Sequence, residues 1–279
     1  LHGDDRHVAG KVDALILDTE DCAANRDVAA EGRGRFGFRS RMVRVEFEAP
    51  SARVVPLQVS AQRVVGVAVG GNGAGKSTLL GLLSTLTEPS AGEVRYGDRT
   101  AREAGAPLRA QIGFLSHDLQ LYPELSAREN LEFFAGLYGL DRASERVVEA
   151  LTSAGLADRA DDVVEGFSRG MRQRLALERA LLHSPRLVLF DEPFTGLDEA
   201  ACEALVTRLR ALRTARRIIV LATHDLDVVD GLLDRAVILR RGRIRELGDG
   251  GSLRERYRAA IAGGVTAVRP IRAAEKLQP

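Results

Sequence analysis

The sequence of 279 residues predicts an α/β fold with a mainly parallel core sheet. An apolar run at residues 64–69 has the length of a buried strand, and it leads through a glycine-rich segment into the helix-like stretch 79–83. Two further apolar runs, at 186–190 and 217–222, flank an amphipathic stretch at 199–212. Strands that are apolar throughout are covered on both faces, which is typical of a parallel sheet with helices on each side.

A small antiparallel β-subdomain is expected beside this core. Residues 43–47 alternate between apolar and polar side chains, as half-buried strands do, and residues 54–59 are a second candidate strand. A further strand and turn are predicted at 92–98. A short buried strand is also expected at 112–115.

A helical insert is predicted at about residues 118–165. Ser126 and Glu129 form the capping-box pattern that begins a helix, and Gly139 and Gly155 are expected to interrupt the helical stretches that follow. Helices are expected at 130–138, 144–154, 158–164 and, beyond the insert, 171–182.

Composition divides the chain into three parts. Residues 1–41 are polar, mixed in charge and end in a dense glycine and arginine patch, which indicates a poorly structured N-terminal extension. Residues 42–245 contain the predicted strands and helices and form one domain. Residues 246–279 are interpreted as a C-terminal tail.

The glycine-rich segment matches the phosphate-loop pattern G-x-x-x-x-G-K-[ST] in full. A triphosphate needs many N–H donors at close range, and a backbone with few Cβ atoms can wrap it. Lys76 can reach the β- and γ-phosphate oxygens, and the Ser77 hydroxyl can join the Mg²⁺ that bridges them. The fold class is therefore that of a P-loop NTPase. The predicted nucleotide-binding residues of the loop are Gly70, Gly71, Asn72, Gly73, Ala74, Gly75, Lys76, Ser77 and Thr78.

Acidic residues follow the apolar run at 186–190. Asp191 can hold Mg²⁺, directly or through water, and Glu192 is then placed to orient or deprotonate an attacking water. His224 ends the apolar run at 217–222, where a donor could meet the γ-phosphate. Ser77 and Asp191 are thus the predicted metal ligands, and Glu192 and His224 are predicted catalytic residues. Two solvated acids and a structural histidine are the alternative interpretation.

The composition limits the partners that the protein needs. The formal net charge is +1, so no nucleic-acid partner is expected, and the two cysteines match no metal-ligand spacing. No apolar run approaches the roughly 20 residues that span a bilayer, and the N-terminal residues lack the pattern of a signal peptide. If the protein serves a membrane, we expect a partner to supply the membrane-spanning part.

Residues 167–174, Phe-Ser-Arg-Gly-Met-Arg-Gln-Arg, resemble the signature sequence of ATP-binding-cassette (ABC) ATPases, and residues 195–198 resemble their D-loop. Together with the phosphate loop, the acidic pair and the histidine in the same order, the resemblance covers roughly residues 42–245. It implies a RecA-like core sheet and a homodimer, or a dimer with a related ATPase subunit. Two ATP molecules with Mg²⁺ would each lie between the phosphate loop of one subunit and Ser168 and Gly170 of the other.

The sequence departs from the usual ABC pattern in several places. His117 stands where the family has a glutamine that senses Mg²⁺ and the lytic water, so it is a candidate catalytic residue. Phe47 is the candidate for stacking on adenine, with packing in the core as an equal alternative. The other departures are Gly71 in place of proline and, within the signature, Phe167, Arg169 and Met171.

Residues 117–131 resemble the exporter branch of the family, and with residues 167–171 and 191–198 they are most similar to the ATP-binding subunits of haem exporters for cytochrome c biogenesis. This implies ATP hydrolysis that drives a separate membrane-spanning transporter subunit, from a cytoplasmic position on the inner membrane. Multidrug and polysaccharide exporter ATPases share much of this pattern and remain alternatives. The residues expected either to contact the partner or to pack inside the insert are Leu119, Leu121, Tyr122 and Leu125.

Two other classes of protein are weaker alternatives. Soluble ABC ATPases that act on nucleic acid or ribosomes commonly carry two cassettes or a long coiled coil, whereas this sequence has one cassette and no sustained heptads. A non-catalytic cassette is suggested by the altered signature. The presence of Lys76, Asp191, Glu192 and His224 argues against that interpretation.

Overall fold

The computed structural model describes residues 43–47, 64–69, 74–90, 92–96, 99–213, 217–240 and 243–262. The predicted N-terminal extension and the candidate strand at 54–59 lie outside these ranges. Within them, no helix combines the length and the apolar character needed to cross a membrane.

The described residues form nine strands and seven α-helices. The strands are β1 (Val43–Phe47), β2 (Val64–Val69), β3 (Gly92–Tyr96), β4 (Arg99–Thr100), β5 (Ile112–Leu115), β6 (Leu187–Asp191), β7 (Ile218–Thr223), β8 (Arg235–Arg240) and β9 (Arg243–Glu246). The helices are α1 (Lys76–Leu83), α2 (Ala101–Arg109), α3 (Ala127–Leu137), α4 (Ala143–Ser153), α5 (Arg169–Leu181), α6 (Glu199–Arg213) and α7 (Leu253–Ala262).

The core sheet has six strands in the order β5-β6-β7-β2-β8-β9. Its first five strands pair in parallel and β9 pairs antiparallel with β8. A separate antiparallel sheet has the order β1-β3-β4. The predicted fold class, a mainly parallel core with a small antiparallel sheet, is therefore confirmed.

Both faces of the core sheet are covered at β6 and β7, which explains why these two strands are apolar up to their last residue. Leu189 of β6 and Val220 of β7 pack on one face with residues of α1. Phe190 and Leu221, the next residues of the same two strands, pack on the other face with residues of α5 and α6. Successive side chains of a strand point to opposite faces, so a strand in this position needs an apolar residue at every step.

The helical region between β5 and β6 has its own apolar cluster, formed mainly by α3, α4 and the start of α5. Ser126 and Glu129 form the predicted capping box at the start of α3. Gly139 and Gly155 follow α3 and α4 with positive φ angles of 59° and 62°. Glycine adopts this left-handed conformation without the steric cost that other residues meet, so the two interruptions were predicted correctly.

The prediction of a helix at 158–164 is wrong. Only two short 3₁₀ turns are present, at Ala157–Arg159 and Val164–Gly166. The backbone between them pairs instead with the chain that enters α3: the Arg128 N–H donates to the Ala160 carbonyl at 2.8 Å, and the Val164 N–H donates to the Leu125 carbonyl at 3.0 Å. These bonds use groups that a continuous helix would need.

Two helices were not predicted from the sequence. α2 begins at a capping box formed by Thr100 and Glu103. α7 lies within the stretch interpreted as a C-terminal tail, where Leu247 and Leu253 are buried against the side of the core that α5 and α6 cover. The residues up to the end of α7 therefore contribute to the packed core.

We predict opposite effects of two glycine-to-alanine substitutions on stability. A Cβ atom at Gly113 of β5 would overlap the Ala180 carbonyl oxygen and lie 2.7 Å from Pro185 Cγ, so Gly113→Ala should lower the free energy of unfolding by about 2 kcal/mol or more. A Cβ atom at Gly136 of α3 meets no atom within 4 Å. Gly136→Ala should therefore raise the free energy of unfolding by about 0.5 kcal/mol. Urea denaturation of both variants measures the difference, and equal effects would contradict the packing at Gly113.

Candidate active site

The predicted site residues follow three neighbouring parallel strands. β7 lies between β6 and β2, with Asp191 paired to Ala222 and Ala68 paired to Thr223. The carboxyl ends of the three strands therefore lie at one edge of the sheet. In open α/β sheets this edge is where ligands bind.

The phosphate loop leads from β2 into α1. Gly75 caps this helix with a φ angle of 101°, a conformation that favours glycine, and α1 begins at Lys76. Ser77 and Thr78 lie exposed in the first turn of α1. The earlier loop residues Gly70, Gly71, Asn72 and Gly73 lie outside the described residues.

Lys76 and Glu192 form an ion pair across the strand ends. Lys76 Nζ lies 2.5 Å from Glu192 Oε1, and each side chain is only 13% exposed. The two residues come from different strand-to-helix connections, so the contact depends on the sheet order. The opposite charges of the two side chains neutralise each other.

The second carboxylate oxygen of Glu192 is held by His224. The backbone N–H of His224 donates to Glu192 Oε2 at 3.1 Å, and His224 Nδ1 lies 2.7 Å from the same oxygen. Glu192 itself has a φ angle of 50°, which is unusual for a residue other than glycine. Its carboxylate is thus fixed from two sides, by Lys76 and by His224.

These contacts change the acidity of Glu192. Partial burial favours the neutral carboxyl and by itself raises the pKa of Glu192. The hydrogen bond and positive charge of Lys76, followed by the two hydrogen bonds from His224, lower it more, so the net pKa lies below the usual glutamate value. Glu192 is therefore a carboxylate at neutral pH.

Asp191 is the last residue of β6 and is only 4% exposed. Its Oδ1 atom is buried without a hydrogen-bond partner in the described part of the chain. Buried polar groups are nearly always satisfied, so this oxygen fits a cation or a metal-bound water. No group of three or more His, Cys, Asp or Glu side chains suited to a metal occurs among the described residues. Mg²⁺ commonly binds through one or two carboxylates together with phosphates and water, which agrees with such a sparse set.

The signature residues lie at the start of α5. Ser168 caps this helix by accepting a hydrogen bond from the Met171 N–H at 3.2 Å, and its side chain is exposed. Gly170 lies against α6, where an added Cβ would be 3.4 Å from the Ala201 Cβ. The predicted phosphate-contacting residues thus lie at the start of α5, where Ser168 is exposed and Gly170 is half-buried beside α6.

Two further predicted site residues, His117 and Phe47, stay predictions. His117 lies two residues after β5 with its side chain exposed, and in the described part of the chain it makes no hydrogen bond or ion pair. Phe47 ends β1 opposite Gly92, and its side chain is among those that the structure does not describe.

Two contacting residues were missed by sequence reasoning. Arg169 Nε donates to the Thr195 carbonyl at 2.8 Å, and Gln173 Nε2 donates to the Pro193 carbonyl at 2.8 Å. Their four-residue spacing, which places both on one face of α5, was the available signal. Nothing in the sequence indicated the carbonyl groups that they contact.

Comparison with known families and proteins gives a consistent match. The family model described as ABC transporter matches residues 53–195. The ABC transporter ATP-binding protein NatA of Bacillus subtilis is 34% identical over 197 residues, which cover 70% of this chain and 80% of NatA. The linearmycin resistance ATP-binding protein LnrL of the same species is 34% identical over 182 residues, 64% of this chain and 58% of LnrL. The molybdenum import ATP-binding protein ModC of Mycobacterium tuberculosis is 39% identical over 226 residues, 75% of this chain and 61% of ModC.

A solved structure supports the same relationship. It is a dimeric ATP-binding cassette in a post-hydrolysis state, bound to ADP and phosphate. Its TM-score to this chain is 0.63 at 27% sequence identity, and the match covers 74% of this chain and 94% of the solved chain. The chain thus spans nearly all of that cassette but only about three fifths of LnrL and ModC.

We predict that Lys76→Met raises the pKa of Glu192, because burial of the carboxyl remains while the main group that lowers its pKa is removed. The measurement is a carboxyl-carbon NMR titration of protein labelled at glutamate, with the Glu192 signal assigned by its loss in Glu192→Gln. Glu129 is the internal control, because its pKa is lowered by hydrogen bonds from Ser126 and should not change. An unchanged Glu192 titration would show that the Lys76–Glu192 pair does not form in solution.

Proposed function

The chain belongs to the ABC transporter family, whose ATP-binding domains hydrolyse ATP to drive transport, and we propose that it is the ATP-hydrolysing subunit of an exporter. The observation that carries this proposal is the meeting of Lys76, Glu192 and His224 beside the buried Asp191. A phosphate-binding cation, a carboxylate base and a histidine are the groups that ATP hydrolysis requires at one place.

ATP would bind at the end of β2 and the start of α1. The N-terminal N–H groups of α1 and the ammonium group of Lys76 favour an anion there, and the proposed loop residues Gly70 to Thr78 would surround the phosphates. Ser77 and Asp191 would hold Mg²⁺, which when bound offsets part of the charge of the β- and γ-phosphates.

Glu192 is the proposed general base. Its carboxylate can accept a proton from the attacking water, and the hydrogen bonds from His224 hold it in place. A γ-phosphate would compete with Glu192 for the Lys76 ammonium group, which lies 2.5 Å from the Glu192 carboxylate. Binding of ATP would therefore draw Lys76 away from Glu192 and leave one carboxylate oxygen free for water.

The full site would need a second subunit, either an identical copy or a related ATPase subunit. Ser168 and Gly170 would contact the γ-phosphate held by the partner's phosphate loop. The exposed position of Ser168 at the start of α5 supports this role, as does the dimeric arrangement of the solved cassette bound to ADP and phosphate. His117 would reach the nucleotide from the loop after β5, and Phe47 would stack on the adenine.

We place the proposed membrane partner on an aromatic patch, which consists of Tyr122, Phe133, Phe134 and Leu137. The Tyr122 and Phe133 rings meet edge to face at 5.0 Å, and Phe133 and Phe134 do so at 5.4 Å. Tyr122 is 44% exposed, Phe133 42% and Leu137 66%. An exposed apolar group of this kind fits a cytoplasmic helix of a membrane-spanning subunit, which would hold the chain at the cytoplasmic face of the inner membrane.

The structure changes which residues are proposed for this contact. Leu119 and Leu121 pack partly buried against the apolar clusters, so they support the loop from inside. Leu125 is half-buried, and Tyr122 is the residue of the predicted four that is exposed. Phe133 and Leu137 replace the other three because they lie one helical turn apart on the exposed side of α3.

For the exported substrate, the proposal from the sequence is haem for cytochrome c biogenesis, which rests on the resemblance of residues 117–131 together with 167–171 and 191–198. The second candidate is a drug-like molecule, favoured by the similarity to a protein named for linearmycin resistance. The subunit itself would touch neither molecule, because the membrane partner forms the export path.

We predict that Glu192→Gln lowers kcat for Mg²⁺-dependent ATP hydrolysis by about 100-fold or more, because the amide cannot accept the proton of water. The same variant should form a dimer in the presence of ATP, measured by size-exclusion chromatography with light scattering. Glu203→Gln, at an exposed position of α6, is the matched control and should keep wild-type activity. A Glu192→Gln protein with undiminished turnover would contradict the proposed base.

We predict that Phe133→Ser weakens copurification with the proposed membrane-spanning partner, while ATP hydrolysis by the isolated subunit is unchanged. Ile261→Ser, which alters an apolar side chain of α7 that is 40% exposed, should leave copurification intact. Equal recovery of partner by both variants would remove the aromatic patch as its docking surface.

The purified complex in proteoliposomes then separates the substrates. Stimulation of ATP hydrolysis by haem supports the haem exporter, and stimulation by linearmycin supports the drug exporter. Stimulation of the isolated subunit by DNA or ribosomes instead would contradict the transport proposal.

A further inference from the structure

Two side chains of α5 hold the turn that follows Glu192. Gln173, which is 6% exposed, donates to the Pro193 carbonyl at 2.8 Å. Arg169 donates from Nε to the Thr195 carbonyl, also at 2.8 Å. The first two turns of the helix that begins at the signature are therefore bonded to two carbonyl groups beyond the proposed base, those of Pro193 and Thr195.

The backbone that these bonds hold has an unusual conformation. Glu192 has a φ angle of 50°, its N–H donates to the Ala222 carbonyl at 2.8 Å, and its carbonyl accepts from the Thr195 N–H at 3.2 Å. A glutamate with positive φ persists only where the surrounding contacts enforce it. The direction of its carboxylate therefore depends on how firmly the following turn is fixed.

Arg169 also fills the space above Gly196. A Cβ atom added at Gly196 would lie 2.5 Å from Arg169 Nε and 2.8 Å from its Cζ, so the guanidinium packs directly on the glycine backbone. Gly196 has a φ angle of 71°, which also favours glycine. Position 169 carries glycine in the usual signature pattern, so this contact is made by a side chain in which the sequence departs from its family.

We infer that Arg169 is a positioning residue for Glu192. Arg169 donates a hydrogen bond to the Thr195 carbonyl and packs on Gly196, so it links the start of α5 to the turn after β6. Gln173 restrains the same turn through its hydrogen bond to the Pro193 carbonyl. The inference rests on the proposed function for its link to catalysis. Its structural part, the restraint of residues 192–198, is independent of that function.

Arg169→Ala should lower kcat about tenfold while the dissociation constant for ATP stays within twofold of the wild-type value, because the base is misaligned but the phosphate loop is intact. Arg169→Lys should recover part of kcat, since the ammonium group can still donate to the Thr195 carbonyl. Arg210→Ala is the matched control: Arg210 is exposed near the end of α6, about 16 Å along the helix from its start. An Arg169→Ala enzyme with wild-type kcat would overturn the inference and leave the proposed function standing.

A double-mutant cycle tests the packing on Gly196. Gly196→Ala alone should lower kcat because the new methyl group displaces the guanidinium. In the Arg169→Ala background, the factor by which the same change lowers kcat should be at least threefold smaller. The backbone strain at position 196 is present in both backgrounds, so its effect on kcat cancels in the cycle. Independent, multiplicative losses would overturn the proposed coupling.

Hydrogen exchange of the nucleotide-free protein, followed by mass spectrometry, separates this inference from the proposed function. Peptides that cover residues 192–198 should exchange at least threefold faster in Arg169→Ala than in the wild-type protein, and Arg210→Ala should leave them unchanged. Unchanged exchange in Arg169→Ala would overturn the inference even if the protein hydrolyses ATP. Faster exchange in Arg169→Ala, combined with a wild-type protein that fails to hydrolyse ATP, would support the restraint and reject only the proposed function.

Discussion

The register of β6, β7 and β2 determines where the charged groups of the site can lie. Because Asp191 pairs with Ala222 and Ala68 pairs with Thr223, the three strands end at nearly the same level. The backbone bond from Glu192 to Ala222 then extends the pairing by one more residue. A slip of one residue in either pair would send the side chains to the opposite face of the sheet and separate the acid, the lysine and the histidine.

α5 connects this strand edge to the rest of the molecule. Its first turns hold the chain after Glu192, and further along the buried Glu178 forms two hydrogen bonds of 2.7 Å with Arg208 of α6. Arg179 lies next to Glu178, 4% exposed, and donates to the Phe114 carbonyl at 3.1 Å while its guanidinium lies 4.9 Å from the Phe134 ring. α5 therefore forms hydrogen bonds with the chain beyond β6, with α6 and with β5, and it contacts a ring of the aromatic patch.

The sequence predicts the elements that depend on local patterns. Apolar runs identify β2, β6 and β7 because both faces of the sheet are buried, and Ser126 with Glu129 identifies the start of α3 because the capping box involves neighbouring residues. The failed helix at 158–164 shows the limit of such patterns, since its backbone bonds to residues more than thirty positions earlier in the chain.

In the candidate site, local sequence patterns indicate which residues belong to it, whereas the contacts between these residues depend on the fold. A motif of nine residues is enough to propose that Lys76 binds a phosphate, and a strand end is enough to propose roles in hydrolysis for Asp191 and Glu192. The pairing of Lys76 with Glu192 and of Arg169 with Thr195 depends on the folded arrangement of separate connections, so no sequence pattern contains it. The contact of Glu192 with His224 is partly predictable from the sequence. Both residues follow apolar strands, but whether those strands are neighbours depends on the strand order of the sheet.

The internal ion pair of Lys76 would have a consequence for the turnover of nucleotides under the proposed function. An incoming phosphate would compete with Glu192 for the same ammonium group, so part of the intrinsic binding free energy would be used to separate the pair, and the apparent affinity would be lower than that of a site with a free lysine. The same competition would act in the other direction after hydrolysis, when Glu192 could reclaim Lys76 as phosphate leaves. A carboxylate within the protein would thus act as a built-in competitor that weakens retention of the product.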